Sequence, residues 1–319
     1  MAAELDRANA LGAPAYFVTG FSCGFRVTAV RGFSFMLRSG LSGIISAVHR
    51  LNAGRFLMRF PSISLVIPAL NEERNIPYVF ARIPEDIHQV VLVDGLSVDN
   101  TVAVAKRMRP DVCVVAQSRT GKGNALACGF EAATGDVIAM VDADGSADPG
   151  EIPRFVAVLL DGADFAKGTR FSAGGGSSDI THLRRAGNRL LTGLFNACYD
   201  RKYSDLCYGY NVFWRRHVSV LGLDATSGPR EDGAPLWGDG FEVETLIHVR
   251  AARAGLRVAE VPSYEHPRLH GASNLNAVQD GIRVVRTILA ERRGRGHLMN
   301  AGQSLPVRSH RYPVEESVR

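Results

Sequence analysis

The sequence predicts an α/β protein built on a mainly parallel central sheet, and three observations carry that prediction. From Ser62 onward, short apolar runs alternate with longer segments of helical character. Several of the runs end in acidic or amide residues, as strand ends do where open α/β sheets bind ligands. The chain has 319 residues and is 46% hydrophobic, enough to fill the core of one large α/β domain or two small ones and to exclude disorder throughout.

The elements follow in order. Strands are expected at 62–67, 89–93, 111–116, 137–141, 164–168, 210–214 and 256–261. Helices are expected after the first strand to about 82, up to 108, and at 122–134, 149–160, 183–199, 239–254 and 276–293. Single helices between strands imply right-handed crossovers. The strand ends then emerge on one edge, so Asn71, Glu72, Asp94, Ser97 and Asp142 converge there. The stretch 172–178 reads as a flexible Gly/Ser loop, and 227–235 as a Gly/Pro-rich one.

Residues 1–60 differ from the rest. No acid stands between Asp6 and Glu72, while Arg26, Arg31, Arg38, Arg50, Arg55 and Arg59 interrupt Gly/Ser-rich apolar text. This extension reads as a loosely ordered leader, an over-long start or a basic segment lying on an anionic membrane. The domain is expected at 61–293, and the tail 294–319 lacks an apolar period, as disordered segments do.

The net charge of +5 calls for a negatively charged partner, whether nucleotide phosphate, anionic membrane or nucleic acid. No helix-turn-helix, zinc or aromatic-platform pattern supports nucleic acid. Five scattered cysteines with no metal-ligand spacing fit buried thiols of a reducing, cytoplasmic compartment. No apolar run is long enough to span a bilayer.

The chemistry centres on Asp142-Ala143-Asp144-Gly145-Ser146, directly after an apolar run of strand length. Two carboxylates one residue apart on a tight turn offer oxygen ligands to Mg²⁺ or Mn²⁺, which can hold a diphosphate through its other positions. The competing reading is a polar turn before a helix, and Asp148-Pro149-Gly150-Glu151 does look like a helix start. Asp142 and Asp144 precede that start and are not needed for it.

Six motifs in order resemble the family-2 glycosyltransferases of GT-A fold, in the branch of the dolichyl-phosphate mannose synthases. They are Val66-Ile67-Pro68-Ala69-Leu70-Asn71-Glu72, Val93-Asp94 with Ser97 and Asp99, Gly121-Lys122-Gly123-Asn124-Ala125-Leu126, Asp142-Ala143-Asp144, Gly168-Thr169-Arg170, and Arg268 with Gly271-Ala272-Ser273-Asn274. The resemblance covers about 62–293. It implies a Rossmann-like GT-A domain that moves a sugar, with inversion, from a nucleotide-diphosphate donor to a polyprenyl phosphate.

By that resemblance Pro68, Leu70, Asn71, Glu72, Val93, Asp94, Ser97, Lys122, Asp142 and Ala143 surround the donor nucleotide. Asp144 binds the metal, with Asp142 as co-ligand or ribose contact and Ser146 as an outer ligand. Asp99 suits a helix cap equally well. Arg170, Arg268, His270 and Asn274 are the phosphate and acceptor residues, with Asn274 replacing a lysine common in the family. Lys122 is no P-loop lysine, because no Ser or Thr follows it. Asp239 and Glu242 stand where a helix begins and are candidates for positioning hydroxyls. With a hydroxyl acceptor, one of them would act as base; a phosphate acceptor is already anionic and needs none. The arginine-bearing helices at 183–199 and 276–293 fit docking at the inner face of the cytoplasmic membrane, or a core-facing helix with a solvated basic side.

Overall fold

The computed structural model describes residues 60–229, 235–271 and 277–294, together with the backbone of β1 (Tyr16–Phe21) and β2 (Gly24–Ala29). β1 and β2 pair antiparallel, Tyr16 opposite Ala29, within a compact unit spanning residues 1–59. The other expectations for the extension and for the tail past Gly294, and the role of Asn274, lie outside the described residues.

The second unit is organised by a seven-stranded sheet. Its strands are β3 (Ile63–Ala69), β4 (Gln89–Asp94), β5 (Cys113–Ala116), β6 (Val137–Met140), β7 (Phe165–Thr169), β9 (Asn211–Trp214) and β10 (Val258–Pro262), in the order β10-β7-β9-β6-β3-β4-β5. Four of the six pairings are parallel; β9 runs antiparallel to both β6 and β7. The sheet is mainly parallel, as the alternation of strands and helices predicts, and β9 runs against the rest for a topological reason. The excursion after β7 returns the chain to the edge it left, so the next strand starts there and runs back.

The helices are α1 (Ile76–Phe80), α2 (Thr101–Met108), α3 (Lys122–Ala132), α4 (Ile152–Leu160), α5 (His182–Tyr199), α6 (Val218–Leu221), α7 (Val243–Arg253) and α8 (Ala277–Arg292). The expected 239–254 helix therefore begins four residues late, because Asp239 is spent on the turn before it. At the expected 149–160 helix, Asp148 Oδ1 accepts from Gly150 N at 2.9 Å over a 3₁₀ turn that precedes α4.

The central strands are buried on both faces, which is why they read as continuous apolar runs. Leu65, Ile67, Leu92 and Ala139 join a core on one side with Phe155 and Tyr210, whose rings stack at 4.4 Å. Val66, Val93, Ile138 and Met140 join another with Phe130, Phe213 and Ile247. Each buried Val, Leu, Ile, Met or Phe among them contributes about 1.5–3 kcal/mol relative to exposure. A third cluster, with Phe195, Leu206, Val249, Val284 and Ile288, ties α5, α7 and α8 together. The 172–178 loop is pinned by strand pairing of β8 (Gly176–Ser177) with β11 (Tyr264–Glu265).

Candidate active site

A cavity of about 500 Å³ opens where β3 and β6 end and β9 begins, and is bounded on its far side by α5 and α8. Pro68, Leu70, Glu72, Lys122, Asp142, Ala143, Asp144, Ser146, Arg170 and Arg268 all line it. They come from separate motifs, and the sheet edge brings them together.

The donor-side loops are fixed by a short network. Asn71 adopts φ +57°, and its Oδ1 accepts from Val98 N at 2.9 Å. Ser97 Oγ accepts from Asn71 N at 2.9 Å, and Asp94 Oδ1 accepts from Ser97 N at 3.2 Å. Asn71, Ser97, Val93 and the buried Asp94 thus shape the wall from behind and are not part of the lining. Asp99 acts as a cap: its Oδ1 accepts from Thr101 N at 3.0 Å at the start of α2. Burial raises the Asp99 carboxyl, but the hydrogen bonds it accepts outweigh burial and hold it below its ordinary value.

Three cations organise the site, and each bridges two carboxylates. Lys122 Nζ reaches Asp142 Oδ1 at 2.7 Å and Glu244 Oε1 at 2.6 Å. Arg268 reaches Asp144 Oδ2 at 3.3 Å and also pairs with Glu72 Oε1. Arg170 donates from Nε to Asp205 Oδ2 at 2.8 Å and from Nη1 to Glu265 Oε1 at 3.0 Å. With every group ionised, the lining acids Glu72, Asp142, Asp144, Glu244 and Glu265 outnumber these three cations, an excess of negative charge that suits a divalent ion.

Burial opposes the charge on Lys122, and the two carboxylates outweigh it, holding the ammonium above its ordinary value. Glu244 is pushed up by burial against the pull of Lys122. Glu72 is likewise raised by burial, despite the hydrogen bond from Asn75 and the charge of Arg268.

Several sequence expectations change on this geometry. Arg170, read as a phosphate ligand, is buried, and Asp205 and Glu265 hold its guanidinium; Tyr208 lies against it at 5.0 Å. Asp239 is also buried. It accepts from Arg119 Nη2 at 2.8 Å and from Arg119 Nε at 2.9 Å, and its carbonyl accepts from Gly123 N at 2.7 Å at the start of α3. Glu242 turns back to accept from Gly240 N at 3.3 Å. Neither lines the cavity; Glu244, in the first turn of α7, does. The side chain of His270 is exposed, while its carbonyl accepts from Arg268 Nε at 2.8 Å.

The far half of the cavity has a different character. Ile180, Leu183, Leu191, Cys207, Phe241 and Val284 give it apolar surface, interrupted by Asp179, Arg184, Asn188 and Asp280. Arg184 is the cation there, paired with Asp179 at 3.1 Å. On its outer side α5 exposes Leu183 and Leu190 on one face and Arg185 and Arg189 on another, and α8 exposes Ile282, Leu289, Arg283 and Arg286. Among the described residues no helix is long and apolar enough to cross a membrane.

Comparison with known proteins agrees with this architecture. Residues 64–222 match the model of glycosyl transferase family 2. An uncharacterized glycosyltransferase of Mycobacterium tuberculosis is 34% identical over 215 residues, 67% of this chain and 90% of that protein. A dolichol-phosphate mannosyltransferase of Pyrococcus furiosus is 33% identical over 120 residues, 35% of this chain and 34% of that one. In fold, a glucosyl-3-phosphoglycerate synthase from Mycobacterium tuberculosis, solved with phosphoglyceric acid, aligns with TM-score 0.55 at 23% identity, covering 81% and 86% of the two chains. With 90% of a glycosyltransferase spanned at 34% identity and the family's model matched across β3 to β9, this chain belongs to glycosyl transferase family 2 and is an enzyme of sugar transfer.

Proposed function

We propose that the protein transfers a sugar from a nucleotide diphosphate to a polyprenyl phosphate at the membrane surface. The observation that carries this reading is the two-part cavity: a carboxylate-lined half at the strand ends continues into an apolar half between two arginine-edged helices. The polar half suits a charged donor, and the apolar half suits the first isoprene units of a lipid. The exposed leucines and arginines of α5 and α8 then meet an anionic leaflet.

Asp142 and Asp144 would hold Mg²⁺ or Mn²⁺, whose preference for hard oxygen ligands their carboxylates meet. Bound there, the ion supplies charge neutralisation for the departing nucleoside diphosphate. The chain's own groups do the rest. Pro68 and Leu70 form an apolar wall for the nucleoside, Glu244 keeps Lys122 at the floor, and Arg268 offers a forked donor to phosphate. Arg184 lies where an acceptor phosphate would meet the apolar half. The acceptor oxygen is already anionic and attacks the anomeric carbon from the face opposite the diphosphate, with inversion.

A second reading, transfer to a hydroxyl, draws on one observation. Glu244 is a largely enclosed carboxylate in the cavity lining whose proton affinity burial raises, as suits a general base. In this reading it takes the base's role for which the sequence offers Asp239 and Glu242. The test is incubation with labelled nucleotide sugars, Mg²⁺ or Mn²⁺, polyprenyl phosphate and a soluble glycan, followed by phase extraction. Label in the organic phase supports the lipid reading; label confined to water overturns it.

A further inference from the structure

We propose that Arg268 is a resident counter-cation that occupies the carboxylates of Asp144 and Glu72 in the ligand-free site, so that a divalent ion binds tightly only together with a nucleoside diphosphate. The proposal rests on the metal reading above. It concerns the order in which the site fills.

The strap is built from described residues 266–271. His266 N donates to Ser146 O at 2.8 Å, and Leu269 N donates to Asp144 O at 3.3 Å. Asn75 Nδ2 donates to His270 O at 3.1 Å. Gly145 has φ +80°, which L side chains rarely adopt, and a Cβ there would stand 2.7 Å from Leu269 Cδ1, so a larger residue would strain the turn and displace Leu269. Through these contacts the guanidinium is led to Asp144 and Glu72.

Arg268 differs from the other two bridging cations. Lys122 issues from α3 and Arg170 directly follows β7, and both are nearly enclosed; Arg268 issues from a loop and its side chain is 22% exposed. It is therefore the cation that can yield. A bare divalent ion gains little by displacing it, because among the described residues no cluster of three His, Cys, Asp or Glu side chains is placed to hold a metal. A diphosphate changes both sides of the exchange: its oxygens complete the shell of the ion and give the guanidinium a new bidentate partner. Metal and nucleotide then raise each other's affinity by the same factor.

The test is Mn²⁺ binding to the full chain, followed by the free-ion resonance signal, without nucleotide and with saturating UDP or GDP. Wild type is expected to bind Mn²⁺ weakly alone and at least about tenfold more tightly with its diphosphate. Arg268→Gln is expected to bind Mn²⁺ alone about tenfold more tightly than wild type, and to lose most of the nucleotide's enhancement. Arg268→Lys, which keeps charge but cannot span both carboxylates, should fall between. Mn²⁺ affinity unchanged in Arg268→Gln would overturn the strap. Asp144→Asn separates the two ideas: if it binds Mn²⁺ with nucleotide as wild type does, the metal reading itself falls.

Discussion

Lys122, Arg170 and Arg268 show how the same arrangement, one cation between two acids, serves different ends according to burial. Arg170 and Asp205 are almost wholly enclosed, and their pair braces the edge of the cavity. Lys122 and Glu244 are enclosed but face the cavity floor. Glu244→Gln leaves Lys122 to Asp142 alone and is expected to lower kcat/KM about a hundredfold through misplacement, with little change in Tm; steady-state kinetics and a thermal melt check both. Asp239→Asn should behave oppositely. It strips Arg119 of its buried partner, at about 3–5 kcal/mol, and denaturant unfolding should show the loss directly.

Residue-level legibility followed the same division. Asp142 and Asp144 could be read because an apolar run of strand length places them at a strand end. Glu244 could not, because 239–244 holds three carboxylates and only the helix start at Val243 decides which one faces inward. The buried state of Arg170 was equally hidden, its partners lying 35 and 95 residues away in sequence. The remaining signal was the surplus of acids in 239–244 itself, beyond what a helix start needs.

Among the elements, α3 depends on the closest approach in the site. Gly123 lies against the 238–239 turn, where a Cβ would stand 1.7 Å from Gly238 O. Gly123→Ala must push the start of α3 away, and Lys122 with it. We expect a destabilisation of at least about 1–3 kcal/mol and a loss of turnover larger than the fall in Tm alone explains. The alternation of period made most strands and helices legible to within a few residues. The direction of β9 was not legible, because it depends on where α5 returns the chain.

Acid stability is set where several elements meet. Burial raises the Asp205 carboxyl, but the hydrogen bonds of Arg170 and the charges of Lys167 and Arg170 outweigh burial and hold it below the usual range. Its contribution is therefore complete above the unfolded aspartate pKa of about 3.9 and is lost as pH falls through the lower folded value. Asp205→Asn should be less stable near neutrality and should lose less stability than wild type on acidification below about pH 4, as urea midpoints across pH will show.

At the scale of the catalytic unit, Leu183 both lines the cavity and is exposed on α5, so the cavity wall continues onto the outer side of that helix. Leu190 stands clear of the cavity lining on that surface. Leu190→Glu should reduce flotation with anionic vesicles while the melt stays at the wild-type temperature. Equal flotation would detach α5 from membrane docking.

The most direct measurement of the central claim is kcat/KM for a long-chain polyprenyl phosphate against the shortest soluble prenyl phosphate, with the same donor and metal. If the apolar half receives the lipid, burial of its methylenes favours the long chain by at least about a hundredfold. Equal values, or faster transfer to a sugar hydroxyl than to either phosphate, would contradict the account.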